Sequence, residues 1–131
     1  MRKVIVMVGA LALLALGAVP ASAHMEDFQL GARAGLDQNN DDLFYFFRYL
    51  CTAGEDFSAT VRIRQGTHVT SQQGQATCNG SETFTFLPFD GTGFHLGDAR
   101  ASARWVFVDH NPDVVFTNSR AIRIVDCTNA C

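Results

Sequence analysis

Residues 57–65, FSATVRIRQ, alternate strictly: Phe57, Ala59, Val61 and Ile63 fall on one parity, Ser58, Thr60, Arg62 and Arg64 on the other. Successive side chains of a strand point to opposite faces, so this period of two predicts a half-buried strand with a solvated arginine face. A helix would scatter the same residues around its circumference. The period recurs down the chain. In LFYFFRYLC, residues 43–51, Leu43, Tyr45, Phe47, Tyr49 and Cys51 share one parity, and Phe44, Phe46, Arg48 and Leu50 the other. Both faces are largely apolar, which predicts a central strand covered on both sides.

TFTFLPF, residues 83–89, sets Phe84 and Phe86 against Thr83 and Thr85, with Pro88 ending the pairing or marking an edge. DARASARWVFVDH, residues 98–110, places Ala99, Ala101, Ala103, Trp105 and Phe107 on one face and Arg100, Ser102 and Arg104 on the other. RAIRIVD, residues 120–126, turns Ile122 and Ile124 inward and Arg123 outward. A first strand near Phe28–Leu36 and a short one leading into Cys78 bring the expected number to about seven. The connections DQNNDD, TAGED, QGT, CNGSE, FDGTG and HNPD carry the Gly, Asn, Asp and Pro that turns require. The expectation is an all-β, immunoglobulin-like, two-sheet antiparallel β-sandwich, with a closed barrel as the lesser alternative.

Residues 1–23 read as a signal peptide: Arg2 and Lys3, an uncharged apolar run from Val4 to Val19, Pro20, then the small residues Ala21-Ser22-Ala23. The run is short for a membrane span and no second one follows, so the mature chain, residues 24–131, is expected to be a single domain released outside the cell without an anchor. Cleavage leaves eight arginines, no lysine and thirteen acids, a net charge of about −5 with histidine neutral. That balance argues against nucleic acid as a partner, because such binding needs a basic field.

Cys51, Cys78, Cys127 and Cys131 in an oxidising compartment point to two disulfides in one of three connectivities. Cys51 with Cys78, closing a loop between adjacent strands, and Cys127 with Cys131, a local clip, is the preferred set. Cys-x3-Cys with no second short-spaced pair is a poor match to zinc ligation.

The stretch from Tyr49 to Ala103, with YLCTAG, VRIRQG, CNG and FHLGDA, resembles small secreted actinobacterial immunoglobulin-like proteins of unknown function. The matching positions are Cys51, Gln65, Cys78 and Gly80. The resemblance implies a strand ended by a cysteine, a next strand ended by a glutamine, and a return begun by a second cysteine with a glycine after it. It implies no activity.

His24 becomes the N-terminus after cleavage and could offer copper both its amine and its imidazole. A second histidine would complete the arrangement, best His110 in VDHNPD with Asp109 beside it, otherwise His68 or His95. Asp37, Asn39 and Asp41 alternate as in a calcium loop, but Asp42 and Arg48 stand where an EF-hand needs glycine and glutamate, so a polar turn is expected. No Gly-x-Ser-x-Gly is present, Ser102, His110 and Asp113 form a triad only on paper, and the carboxylate pairs lie in loops. No catalytic residue and no resident cofactor are expected, with copper as the alternative.

All eleven phenylalanines belong to the mature chain, with Tyr45, Tyr49 and Trp105. Most are expected in the core. Phe44 with Phe46, or Phe89 with Phe94, are the candidates for an exposed patch. The expected function is that of a secreted, disulfide-stabilised, non-enzymatic module binding an extracellular protein or a cell-envelope component, in an oligomeric state the sequence leaves open. The alternative is an extracellular copper-binding protein built on His24.

Overall fold

The computed structural model describes residues 25–108 and 112–131, and the facts that follow concern these. They form seven strands and no helix: β1 (Met25–Asp37), β2 (Asp42–Cys51), β3 (Asp56–Gln65), β4 (His68–Thr77), β5 (Thr83–Asp90), β6 (Gly97–Phe107) and β7 (Val114–Asp126). Hydrogen bonding runs through all of them in the order β4-β3-β6-β7-β1-β2-β5, a single mixed sheet that is nearly barrel-like.

The antiparallel expectation needs one correction. β1 and β7 pair in parallel, Arg33 opposite Arg123 through Leu36 opposite Asp126. Parallel neighbours need a long crossover, and here the whole of the intervening chain serves as one. β1 also pairs antiparallel with β2, and its register shifts between Leu30 and Ala34. At that irregularity Gly31 crosses so close to β2 that a Cβ would collide with the Phe46 carbonyl oxygen. The freed carbonyls are satisfied by side chains: Tyr45 Oη donates to Gly31 O (2.8 Å) and Arg120 Nη1 to Leu30 O (2.8 Å). Burial pushes the Tyr45 hydroxyl far above the usual phenol range, with the nearby Arg120 charge acting weakly the other way.

The core is built by the inward parity of each strand. Trp105, fully buried on β6, meets Phe28 of β1, Phe47 and Tyr49 of β2 and Phe57 of β3 at ring-centroid distances of 4.8–5.8 Å. β2 is no hydrogen-bonded neighbour of β3 or β6. The sheet therefore curves round on itself, so that the inner sides of β2 and β6 meet across the core. The alanines Ala101 and Ala103, fully or nearly buried, leave room for that close approach before Trp105 fills the wider part.

The free edges, β4 and β5, come near each other without a backbone ladder between them. Gln72 Nε2 donates to Pro88 O (2.9 Å) across this seam. β4 is almost wholly exposed and is held by a ten-residue register with β3 rather than by apolar burial, which is why its sequence suggested only a short strand. β7 starts at Val114 rather than near Arg120, because Val114 and Phe116 pack against the core ahead of the clear alternation.

Two disulfides are formed, Cys51–Cys78 and Cys127–Cys131, with Cα atoms 5.5 and 4.9 Å apart. The second lies against Gly35, where a Cβ would stand 2.9 Å from the Cys127 sulfur. Gln65, the only buried polar residue among those described, ties β3 to the loop before β6. Its Nε2 donates to His95 O (2.9 Å) and Asp98 O (3.1 Å), and its Oε1 accepts from His95 N (2.9 Å).

Candidate functional site

Because the sheet curves round on itself, its opposite sides each turn an outer face to solvent, and the two outer faces differ sharply in chemistry. On β2 and β5 the outer parity is aromatic. The register places Phe44 beside Pro88, Phe46 beside Phe86 and Arg48 beside Phe84. The rings stack diagonally: Phe44 on Phe86 at 5.5 Å and 13° between planes, Phe46 on Phe84 at 5.4 Å and 22°. Phe84 and Phe86 are each 58 % exposed and Phe46 is 40 % exposed. The two threonines of β5, Thr83 and Thr85, take the inner parity instead and are half-buried.

This arrangement corrects one expectation and decides another. β2 has strands on both sides, but its second face is open rather than covered. Phe89 and Phe94 are buried, so the exposed patch is Phe44 and Phe46, extended by Phe84 and Phe86. The sequence hid the β5 contribution, because apolar residues are first assigned inward. The signal that could have found it is Leu87 and Phe89, which share parity with Thr83 and Thr85 and are drawn inward in their place.

Beside the Phe46–Phe84 stack lies an open depression of about 430 Å³, lined also by Gln29, Gly31, Arg48 and Arg120. Arg48 is fixed there by ion pairs with Glu82 and Asp27 and by a hydrogen bond from Nε to Gln29 Oε1 (2.8 Å). Stacked aromatic rings flanked by ordered guanidinium groups form the kind of centre that supplies most of the binding free energy in protein interfaces.

The outer face of β3, β6 and β7 is polar. It has an open trough of about 590 Å³ lined by Thr60, Arg62, Ser102, Arg104, Thr117 and Ser119, among others. A third space, about 230 Å³, opens at the seam between β4 and β5 and reaches the rings of Tyr49, Phe57 and Trp105. It is smaller than most ligand pockets. The Trp105 Nε1 is buried without a hydrogen-bond acceptor among the described residues.

His24, His110 and Asp109, the residues of the copper alternative, lie outside the described residues, as do residues 1–23. His68 and His95 are exposed. His68 leans on Phe94 with ring centroids 6.0 Å apart, and His95 uses its backbone to hold Gln65. Among the described residues no group of three His, Cys, Asp or Glu side chains is arranged to hold a metal ion. The 37–42 segment is a turn: Asp37 accepts from Asn39 N (3.0 Å) and from the Asn40 amide (2.9 Å), and Asp41 takes a left-handed conformation. Asp90 and Asp126, at the ends of β5 and β7, are held below the usual carboxylate range. Asp90 accepts from the backbone N–H of Thr92, and Asp126 accepts chiefly from the Thr128 hydroxyl.

The chain matches no protein-family model and no curated protein sequence.

Proposed function

We propose that this protein is a secreted, non-enzymatic binding module that docks an extracellular protein through the aromatic face of β2 and β5. The observation that supports the reading is the inverted pattern of β5: Phe84 and Phe86 are displayed to solvent while Thr83 and Thr85 take the inner positions. Full burial of a phenylalanine side chain stabilises by about 1.5–3 kcal/mol, and a partner surface would recover the part that these half-exposed rings forgo. The exposed rings are contiguous, stacked and presented on hydrogen-bonded strands, so little side-chain freedom is lost on docking. Two disulfides and the absence among the described residues of any helix able to cross a membrane are compatible with this setting.

In this reading the module is an immunoglobulin-like sandwich, with β1 shared between its two layers. Contacts of Trp105 on β6 with Phe47 and Tyr49 on β2, two strands that share no backbone ladder, support that description.

The test is site-specific photo-crosslinking of the exported protein, with benzoylphenylalanine at position 86 and, as control, at the exposed turn position Thr92. One discrete protein adduct from position 86, absent from position 92 and lost when Phe46→Ser and Phe84→Ser are added, is expected. No adduct, or equal adducts from both positions, would overturn the proposal. Mass spectrometry of the same sample is expected to show a chain starting at His24 and four hydrogens lighter than its reduced form.

A further inference from the structure

The eight arginines that follow residue 23 divide cleanly. Arg48 is held in ion pairs and Arg120 caps the Leu30 carbonyl, so both are occupied next to the aromatic face. The other six, Arg33, Arg62, Arg64, Arg100, Arg104 and Arg123, are exposed and share the opposite outer face. The register shows this directly: Arg64 lies opposite Arg100, Thr60 opposite Arg104, Arg62 opposite Ser102, and Asp98 and Arg33 are both register partners of Arg123. Among the described residues the only ion pair on this face is Arg123 with Asp98, at 3.3 Å between two highly exposed side chains.

Two features make this more than a solvated face. Arg64 opposite Arg100 and Arg33 beside Arg123 are like charges on neighbouring strands, an arrangement that weakens a sheet. The chain as a whole carries a net charge of −3, so a basic cluster here runs against its overall balance. Between the arginines the trough is floored by hydroxyl groups: Thr60, Ser102, Thr117 and Ser119. Arg100 Nη2 already donates to Ser119 Oγ at 3.1 Å.

We propose that this face binds a linear acidic polysaccharide, with guanidinium forks on its anionic groups and the hydroxyl floor against its sugar rings. The arginine positions Arg62 and Arg64 are about 6.6 Å apart along β3, and Arg64 and Arg100 about 5 Å apart across β3 and β6, which suits a polymer bearing closely spaced charges. Guanidinium groups match carboxylate and related oxyanions with two parallel hydrogen bonds. Nucleic acid is the poorer fit. The face offers no aromatic ring among the described residues for base stacking, and the overall negative charge opposes a duplex. The proposal is independent of the aromatic face, which looks away from this one.

The test measures binding of the exported protein to heparin and polygalacturonate, with dextran and a short DNA duplex for comparison, at two salt concentrations. Binding to the acidic polysaccharides, weakened by salt and absent for dextran, is expected. The variant R62Q/R64Q/R100Q/R104Q should lose it by ~10-fold or more, and the counterpart with lysine at the four positions should recover only part of it, because an ammonium supplies the charge without the paired N–H donors. The glutamine variant should melt no lower than wild type, because the Arg64–Arg100 repulsion is gone. Absence of binding by the wild type, undiminished binding by the glutamine variant, full recovery with lysine, or equal affinity for the duplex would each overturn the proposal.

Discussion

Strand β2 carries aromatic residues on both faces, and the two sets lead different lives. Phe47 and Tyr49 point inward and surround Trp105 in edge-on and tilted contacts, with Phe28 and Phe57 completing the cluster. Phe44 and Phe46, one residue away, point outward and stack nearly parallel on Phe86 and Phe84 of an edge strand. The inner rings join opposite sides of the sheet across the core, and the outer rings stack on one another with Phe46, Phe84 and Phe86 open to solvent. Hydrophobicity alone does not distinguish these roles. What distinguishes them is whether a second layer of chain exists to meet the ring.

The sharpest way to break this comparison is to truncate one ring of each kind. Trp105→Ala should cost about 3–5 kcal/mol in denaturant unfolding, because the cavity sits where five aromatic side chains converge. Next in size is the Cys51→Ser/Cys78→Ser pair, which should cost about 3 kcal/mol by freeing the unfolded chain. The pair at Cys127 and Cys131 should cost less, since it closes a far shorter loop.

Tyr45, between the two populations, gives a pH test. Its folded hydroxyl ionises only well above its unfolded value near 10, so its contribution is complete below about pH 10. It declines as pH rises toward the folded value, by up to about 1.4 kcal/mol per pH unit relative to Tyr45→Phe. With the only lysine at position 3, lysine titration does not obscure the comparison in the cleaved chain. Parallel wild-type and Tyr45→Phe curves above pH 10 would remove Tyr45 as the cause. The smallest effect is expected for Phe84→Ala and Phe86→Ala, each within about 0.5 kcal/mol of wild type, with Phe84→Ala also weakening the position-86 adduct. A loss comparable to that of Trp105→Ala would show the outer stack to be structural.

Much of this was legible before the fold was known. Strict alternation in residues 57–65 and 98–107 placed Val61, Ile63, Ala101, Ala103 and Trp105 inside, and the turn chemistry of DQNNDD and CNGSE located the bends. β4 was underestimated because its stability is carried by backbone pairing with β3, which leaves no apolar trace. The orientation of β5 was hidden for a different reason. A strand with phenylalanine and threonine in alternation can be read either way round, and only its register against β2 decides which face meets the core. Parallel pairing of β1 with β7 is likewise a long-range fact with no local signature. The arginines of single strands were visible from alternation, but their convergence on one face follows from strand order.

Pro88 sits two residues from the end of β5, at the open side of the sheet, with no N–H to offer and its carbonyl taken by Gln72. An edge strand flanked by exposed phenylalanines is otherwise a template on which further copies can stack in cross-β fashion. Here the incoming strand would meet a gap in the ladder where a donor is needed and an acceptor already engaged. On the proposed reading the aromatic face serves recognition, and Pro88 interrupts the strand edge beside it that would otherwise template further pairing.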